Sequence, residues 1–205
     1  FGVVDVDKIA GPSEILVIAD EDATPAYIAA DLISQAEHSE DCSAILLTTS
    51  RDIADAVRDE LATQAAALPR LDVIRESLSA YGGCLLVDDI ATAINLTNEI
   101  APEHAEVHTR DAYEVAMQLR NVGGIFIGEH APEALGDYAA GPNHILPTGG
   151  AARFSSAMSV ADFVKRSNLL GYSQRALDGL TDAVVTLARA EGLAGHAAAM
   201  EIRRK

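Results

Sequence analysis

Short apolar runs rich in β-branched residues alternate with longer stretches of helical period through the first two thirds of this chain, and that alternation restricts its fold more than any other feature. Ile15–Ala19, Ser43–Thr48, Cys84–Val87, Ala105–His108 and Ile125–Ile127 read as strands. Val3–Val6 reads as one more, ahead of a Gly11-Pro12-Ser13-Glu14 turn. Between them, Thr24-Pro25 opens a helix to about His38, with Thr as N-cap and Pro in the first turn. Arg51–Ala67, Leu71–Ala80, Ile90–Ile100 and Asp111–Asn121 carry the other helical patterns, the last opened by a capping Asp. Strands apolar on both sides must be covered on both faces, and parallel neighbours need helical crossovers. The pattern predicts an α/β fold: a Rossmann-like, mostly parallel sheet with helices on both faces. Such sheets hold ligands beyond the carboxyl ends of their strands, so chemistry is expected in the segments that follow the strands.

After Gly128 the character changes. Residues 129–157 contain Gly136, Gly141, Pro142, Pro147, Gly149 and Gly150 with little periodicity, and a loop of that length is usually functional. Ser159–Arg204 reads as a small C-terminal helical segment, with Ser173–Ala190 a clear amphipathic helix. Three divisions are expected: residues 1–13, an α/β domain over 14–158, and a helical segment over 159–205. The chain starts with Phe1 inside an apparent strand, which suggests that a natural N-terminal part is absent.

Charge narrows the function classes. Among 205 residues, 15 Lys and Arg face 31 Asp and Glu, a net charge of −16. Proteins that grip phosphate backbones or anionic lipid need clustered basic residues, so no nucleic-acid or membrane partner is expected. No stretch approaches the length of a membrane span. Cys42 and Cys84 are too few for a disulfide framework and lack metal-pair spacing, so a cytoplasmic setting is expected.

Four constellations could carry chemistry. Gln35 and His38 lie three apart near a helix end, so both project from one face; they suit a metal, or an ordinary helix-end His satisfied by a carbonyl. Glu103-His104 joins an acid to an imidazole between a helix and a strand, a pair able to divide proton transfers, or simply two solvated polar residues. The stretch from Leu135 to Thr148 combines small residues with Asp137, a candidate metal carboxylate, and His144, a candidate substrate contact; it also reads as a structured turn-rich loop. Glu191-Gly192-Leu193-Ala194-Gly195-His196 places a His at a helix break, where it is either a site residue or a surface group. Gln35, His38, Asp137 and His196 together form an N/O ligand set that suits zinc, with manganese or cobalt also acceptable.

The strings AGPSEILVIAD (10–20), DLISQAEH (31–38), APEHAEV (101–107), GDYAAGPNHILPT (136–148) and EGLAGH (191–196) resemble those of histidinol dehydrogenases, in the same order and with about the same spacing. The resemblance implies a zinc enzyme that oxidises L-histidinol through L-histidinal to L-histidine with two NAD, the last steps of histidine biosynthesis. It implies Gln35, His38, Asp137 and His196 as zinc ligands and Glu103 and His104 as the catalytic pair. Ser13, His144 and Glu191 would contact substrate, with the ligands and His104 also bordering it. It further implies a homodimer with an exchanged C-terminal segment, so that Glu191 and His196 complete the other copy's site. Only the C-terminal half of the family chain is matched. Residues 1–13 would then end a cofactor-side domain, most NAD contacts would lie outside this chain, and no cofactor-binding residue is assigned. The fragment alone is expected to be inactive and to expose a sheet edge or apolar face. Two alternatives stand beside this reading: a related zinc dehydrogenase of another small alcohol, such as sulfopropanediol, and a truncated, non-catalytic zinc-binding domain.

Overall fold

A computed structural model describes residues 2–204 and divides the chain into two compact units, Phe1–Phe163 and Val164–Lys205. In the first unit five strands form one parallel sheet: β1 (Glu14–Ala19), β2 (Ser43–Thr48), β3 (Gly82–Leu86), β4 (His104–His108) and β5 (Gly124–Ile127). Their order is β3-β2-β1-β4-β5, with every pairing parallel. The crossovers are α1 (Pro25–Ala36), α2 (Arg51–Ala65), α3 (Leu71–Tyr81), α4 (Ile90–Ile100) and α5 (Ala112–Ala116), followed by α6 (Glu133–Tyr138) after β5.

Period-2 alternation sorts the central strands between two cores. Ile15, Val17 and Ala19 pack with Ile28, Leu32 and Val57 of α1 and α2. Leu16 and Ile18 pack with Ala93, Ile94 and Val115 of α4 and α5, on the other face. Helices thus cover both faces, as the alternation requires. In this unit two helix starts are secured by side chains: Ser50 accepts from the Ile53 N–H and Asp89 from the Thr92 N–H at 2.7 Å, each cap worth about 1 kcal/mol. The edge strands expose apolar side chains, Leu85 and Leu86 on β3 and Ile125 and Ile127 on β5.

Several expectations need correction. Val3–Val6 is not a strand; it is exposed, and β-branched residues make a strand only where a neighbouring strand accepts their backbone groups. The helix expected over 111–121 is only Ala112–Ala116, and Asp111 makes no side-chain cap. The turn-rich 129–157 contains α6 and a 3-10 turn over Ala151–Arg153. β3 begins at Gly82, two residues before the expected start.

The second unit is a helical hairpin, α7 (Gln174–Ala190) and α8 (Ala194–Glu201). Its small core is Val185, Ala188 and Ala197, with Met200 against them. Arg189 pairs with Glu201 at 2.6 Å, and the Gln174 side-chain amide donates to the Arg203 carbonyl at 2.7 Å. Residues 164–173 have no regular structure, so the expected helical segment over 159–204 is helical only in part.

The fold positions a polar strip. Parallel pairing sets Ile15 beside His104 and Val17 beside Glu106. Ala105 and Val107 therefore enter the α4 and α5 core, while His104, Glu106 and His108 share the α1 face of β4. All three are buried.

Candidate active site and metal centre

Glu103 and His104 are reached through an unusual backbone. Ala101 ends α4 in the left-handed region (φ 58°), alone among the described non-glycine residues, at a cost of about 1–2 kcal/mol. Its N–H still donates to the Thr97 carbonyl at 2.8 Å. The reversal delivers Pro102-Glu103-His104 to the amino end of β4. Gly123 backs this turn: a Cβ there would lie 2.6 Å from the Glu103 carbonyl oxygen, so only glycine fits without displacement.

Glu14, the first residue of β1, locks the pair. Its carboxylate accepts the Glu103 N–H at 3.1 Å, while the Glu103 carboxylate accepts the Glu14 N–H at 3.0 Å. A second oxygen of Glu14 accepts the Gly149 N–H at 3.3 Å, tying the turn-rich segment to the same point. The Glu14 carbonyl lies 2.9 Å from His104 Nδ1. A carbonyl only accepts, so Nδ1 carries the ring proton and Nε2 is the basic nitrogen. Nε2 is buried with no hydrogen-bond partner among the described residues, 3.9 Å from a Glu133 carboxylate oxygen that also lacks one. The ring stands tilted beside Phe126, centroids 5.9 Å apart.

Burial sets the protonation states. It drives the Glu103 carboxyl up to about 7, with the neighbouring Glu14 and Asp137 charges adding to the rise and the Glu14 N–H and Ser13 hydroxyl opposing it. It also holds His104 below the ordinary imidazole range, against the Glu14 carbonyl, so His104 is neutral near pH 7. A neutral imidazole beside a carboxyl that titrates near neutrality is a general-base pair matched to physiological pH.

Next to this pair, His38, Glu133 and Asp137 present nitrogen and carboxylate oxygens within 4.8 Å of one another. Gln35, one turn before His38, is fully buried with both amide atoms unpartnered. An unsatisfied buried amide costs about 1–3 kcal/mol, which a metal bond to its oxygen would relieve. His38 and Gln35 also stand at the C-terminal end of α1, the negative end of its dipole, which favours a cation. Nitrogen and oxygen donors of this kind suit zinc, so the residues present fit a divalent metal.

His104, Asp137 and His144 line one cavity of about 460 Å³ in the first unit, and Ser13 stands beside Glu103. Glu191 and His196 belong to the second unit, both exposed, with His196 in the first turn of α8. Three acids escaped sequence reasoning. Glu14 opens a strand and Glu133 lies in a segment read as a loop. Glu106 left a signal: polar residues at period 2 within a strand that must be buried on both faces. The location also corrects an expectation. The candidate donors gather at the amino ends of β1 and β4, where α1 ends, and not beyond the carboxyl ends of those strands.

Glu103 yields a stability prediction. Its folded value, about 7, lies above the ordinary 4.5, so folding favours the neutral acid. That contribution is fully present below about 4.5 and is lost as pH rises through about 7. Glu103→Gln should therefore gain thermal stability relative to the parent between pH 5 and pH 8, read as the difference in unfolding midpoints of the metal-free proteins. A difference constant with pH would contradict the assignment.

Comparisons with known proteins identify the family. The family model for histidinol dehydrogenase matches residues 1–204. The histidinol dehydrogenase of Clostridium acetobutylicum is 51% identical over 205 residues, 100% of this chain and 48% of that protein. That of Bacillus cereus strain ATCC 10987 is 50% identical over 203 residues, 99% of this chain and 47% of that protein. The crystal structure of the enzyme from Elizabethkingia anophelis superposes with a TM-score of 0.92 at 36% identity, covering 98% of this chain and 46% of that one. The chain spans about half the length of the curated relatives it matches. It belongs to the histidinol dehydrogenase family.

Proposed function

We propose that this chain carries the metal-binding and proton-transfer half of an NAD-dependent enzyme that oxidises L-histidinol through L-histidinal to L-histidine. The observation that carries the reading is the unpartnered, unprotonated Nε2 of His104, held beside Glu103 in a cavity that Asp137 and His144 share. Gln35, His38 and Asp137 would hold zinc, with His196 of a second copy as the fourth ligand. When bound, zinc would orient the substrate's amine and imidazole nitrogens, and NAD would accept hydride.

His104 Nε2 takes the hydroxyl proton as the alcohol is oxidised. Nδ1 keeps its proton, donated to the Glu14 carbonyl, so the base does not change tautomer as it acts. Glu103, whose carboxyl titrates at about 7, takes a proton from the water that adds to the aldehyde carbon, while the protonated His104 returns its Nε2 proton to the aldehyde oxygen, which forms the gem-diol and restores the neutral ring. His104 then takes a hydroxyl proton from the resulting gem-diol. One acid and one base side by side thus serve two alcohol deprotonations and one water activation. Ser13 stands beside Glu103, and His144 borders the cavity where the imidazole end of the substrate would lie. The cofactor contacts are assigned mostly to the half of the family fold that this chain does not span, so this segment alone should bind metal and lack full turnover.

The second unit supports an exchanged dimer. Leu180, Val184 and Leu187 form an exposed apolar stripe at helical spacing along α7, beside its buried residues Thr181, Val185 and Ala188. In this proposal residues 159–205 form the dimerisation segment and bring Glu191 and His196 to the other copy's site. In this reading the enzyme works in the cytoplasm, where Cys42 and Cys84 would stay free thiols.

Three outcomes test the proposal. His38→Ala should weaken zinc binding to this chain at least about tenfold by calorimetric titration, and unchanged affinity would remove His38 from the ligand set. In a family-length enzyme carrying these residues, Glu103→Gln should slow histidinal oxidation far more than histidinol oxidation in single-turnover measurements of NADH; equal loss in both steps would refute the division between Glu103 and His104. Leu187→Glu should convert a dimer to a monomer in sedimentation velocity, and a parent chain that is already monomeric would dismiss the exchange.

A further inference from the structure

Glu106 is fully buried on β4, two residues beyond His104 on the same strand face, and the reaction set out above gives it no part. Its carboxylate joins three elements. One oxygen accepts the N–H of Glu133, the first residue of α6, at 2.7 Å. The other faces Nε2 of His108 at 3.2 Å. Asp31 of α1, one turn before Gln35, brings a carboxyl oxygen into the same group, all three side chains offering atoms within 4.8 Å of one another. Burial and the Glu106 charge push the Asp31 carboxyl up to about 8, which sets a neutral acid beside the Glu106 carboxylate.

α6 depends on this junction. It has six residues, its N-cap is Pro132, and no local side chain caps it. Short helices are marginal by themselves, so an acceptor supplied from β4 decides where this one starts. The helix then carries Glu133 and, one turn on, Asp137, the two carboxylates that converge with His38. Ser34 adds a tie from α1, its hydroxyl donating to the Glu133 carboxylate at 3.2 Å.

We propose that Glu106, braced by Asp31 and His108, is the positioning residue of the metal centre: its carboxylate fixes the start of α6 and thereby the place of Asp137 against His38. The proposal rests on the metal reading of Gln35, His38 and Asp137, and it assigns Glu106 no contact with substrate. A metal held by Asp31, Glu106 and His108 themselves is the competing use of the cluster. A metal there would compete with contacts that Glu106 already makes, the Glu133 N–H on one oxygen and His108 on the other.

The test compares this chain with Glu106→Leu and Glu106→Gln by Co2+ titration and amide hydrogen exchange. Glu106→Leu should weaken Co2+ binding about 10- to 100-fold, the range for lost outer-shell support, and alter the visible Co2+ spectrum. Amides of α6 should exchange at least about tenfold faster in that variant, while those of β1 and β2 keep their protection. Glu106→Gln keeps an oxygen acceptor for the Glu133 N–H and should restore most of the α6 protection. If Glu106→Leu does not fold, Asp31→Ala removes one brace and should loosen α6 and Co2+ binding in the same direction. A lowered unfolding midpoint with parental α6 exchange and Co2+ affinity would overturn the proposal. So would a second equivalent of Co2+ that the parent binds and Glu106→Gln loses. If the parent takes up no Co2+, the metal reading fails by itself, and α6 exchange alone decides whether Glu106 positions that helix.

Discussion

The parallel ladder between β1 and β4 is the contact on which the site depends. Its register pairs Ile15 with His104, and that single alignment brings Glu14 within reach of both Glu103 and His104. A slip of one residue would turn His104, Glu106 and His108 into the apolar core beneath α4 and α5, and Ala105 and Val107 toward α1. The apolar neighbours prevent this. Ala105 and Val107 fill one core as Ile15 and Val17 fill the other, so hydrophobic burial on two faces holds a polar strip at a fixed depth.

Much of the fold was legible because its central strands leave little freedom. A run such as Ile15–Ala19 is apolar on both sides and has to lie within a covered sheet. Val3–Val6 has the same residue types, yet composition does not report whether a neighbouring strand exists, and none pairs with it among the described residues. α6 was hidden for a related reason. Gly136 lies inside it, and its start is capped from 27 residues away by Glu106, a tie no local window contains. A Cβ at Gly136 would lie 2.6 Å from the Phe126 ring, which would then have to move.

The site was legible in its residue types and opaque in its placement. Gln35, His38 and Asp137 could be named from spacing and resemblance, whereas their gathering at the amino edge of the sheet follows from α1 running back against its strand. Glu103-His104 was visible as an adjacent acid and base. What makes the pair work, the reciprocal bonds with Glu14, joins residues 89 apart in sequence and had no local signature.

The contact between His104 Nδ1 and the Glu14 carbonyl has a consequence for how such an enzyme tolerates change. In many catalytic histidines a carboxylate side chain orients the ring, and one substitution can remove it. Here the acceptor belongs to the polypeptide itself, and any amino acid at position 14 supplies the same oxygen. Replacing Glu14 would unfasten its neighbour Glu103 and leave the imidazole oriented. The identity of the basic nitrogen is thus insulated from genetic drift, while the acidity of the adjoining carboxyl stays open to tuning.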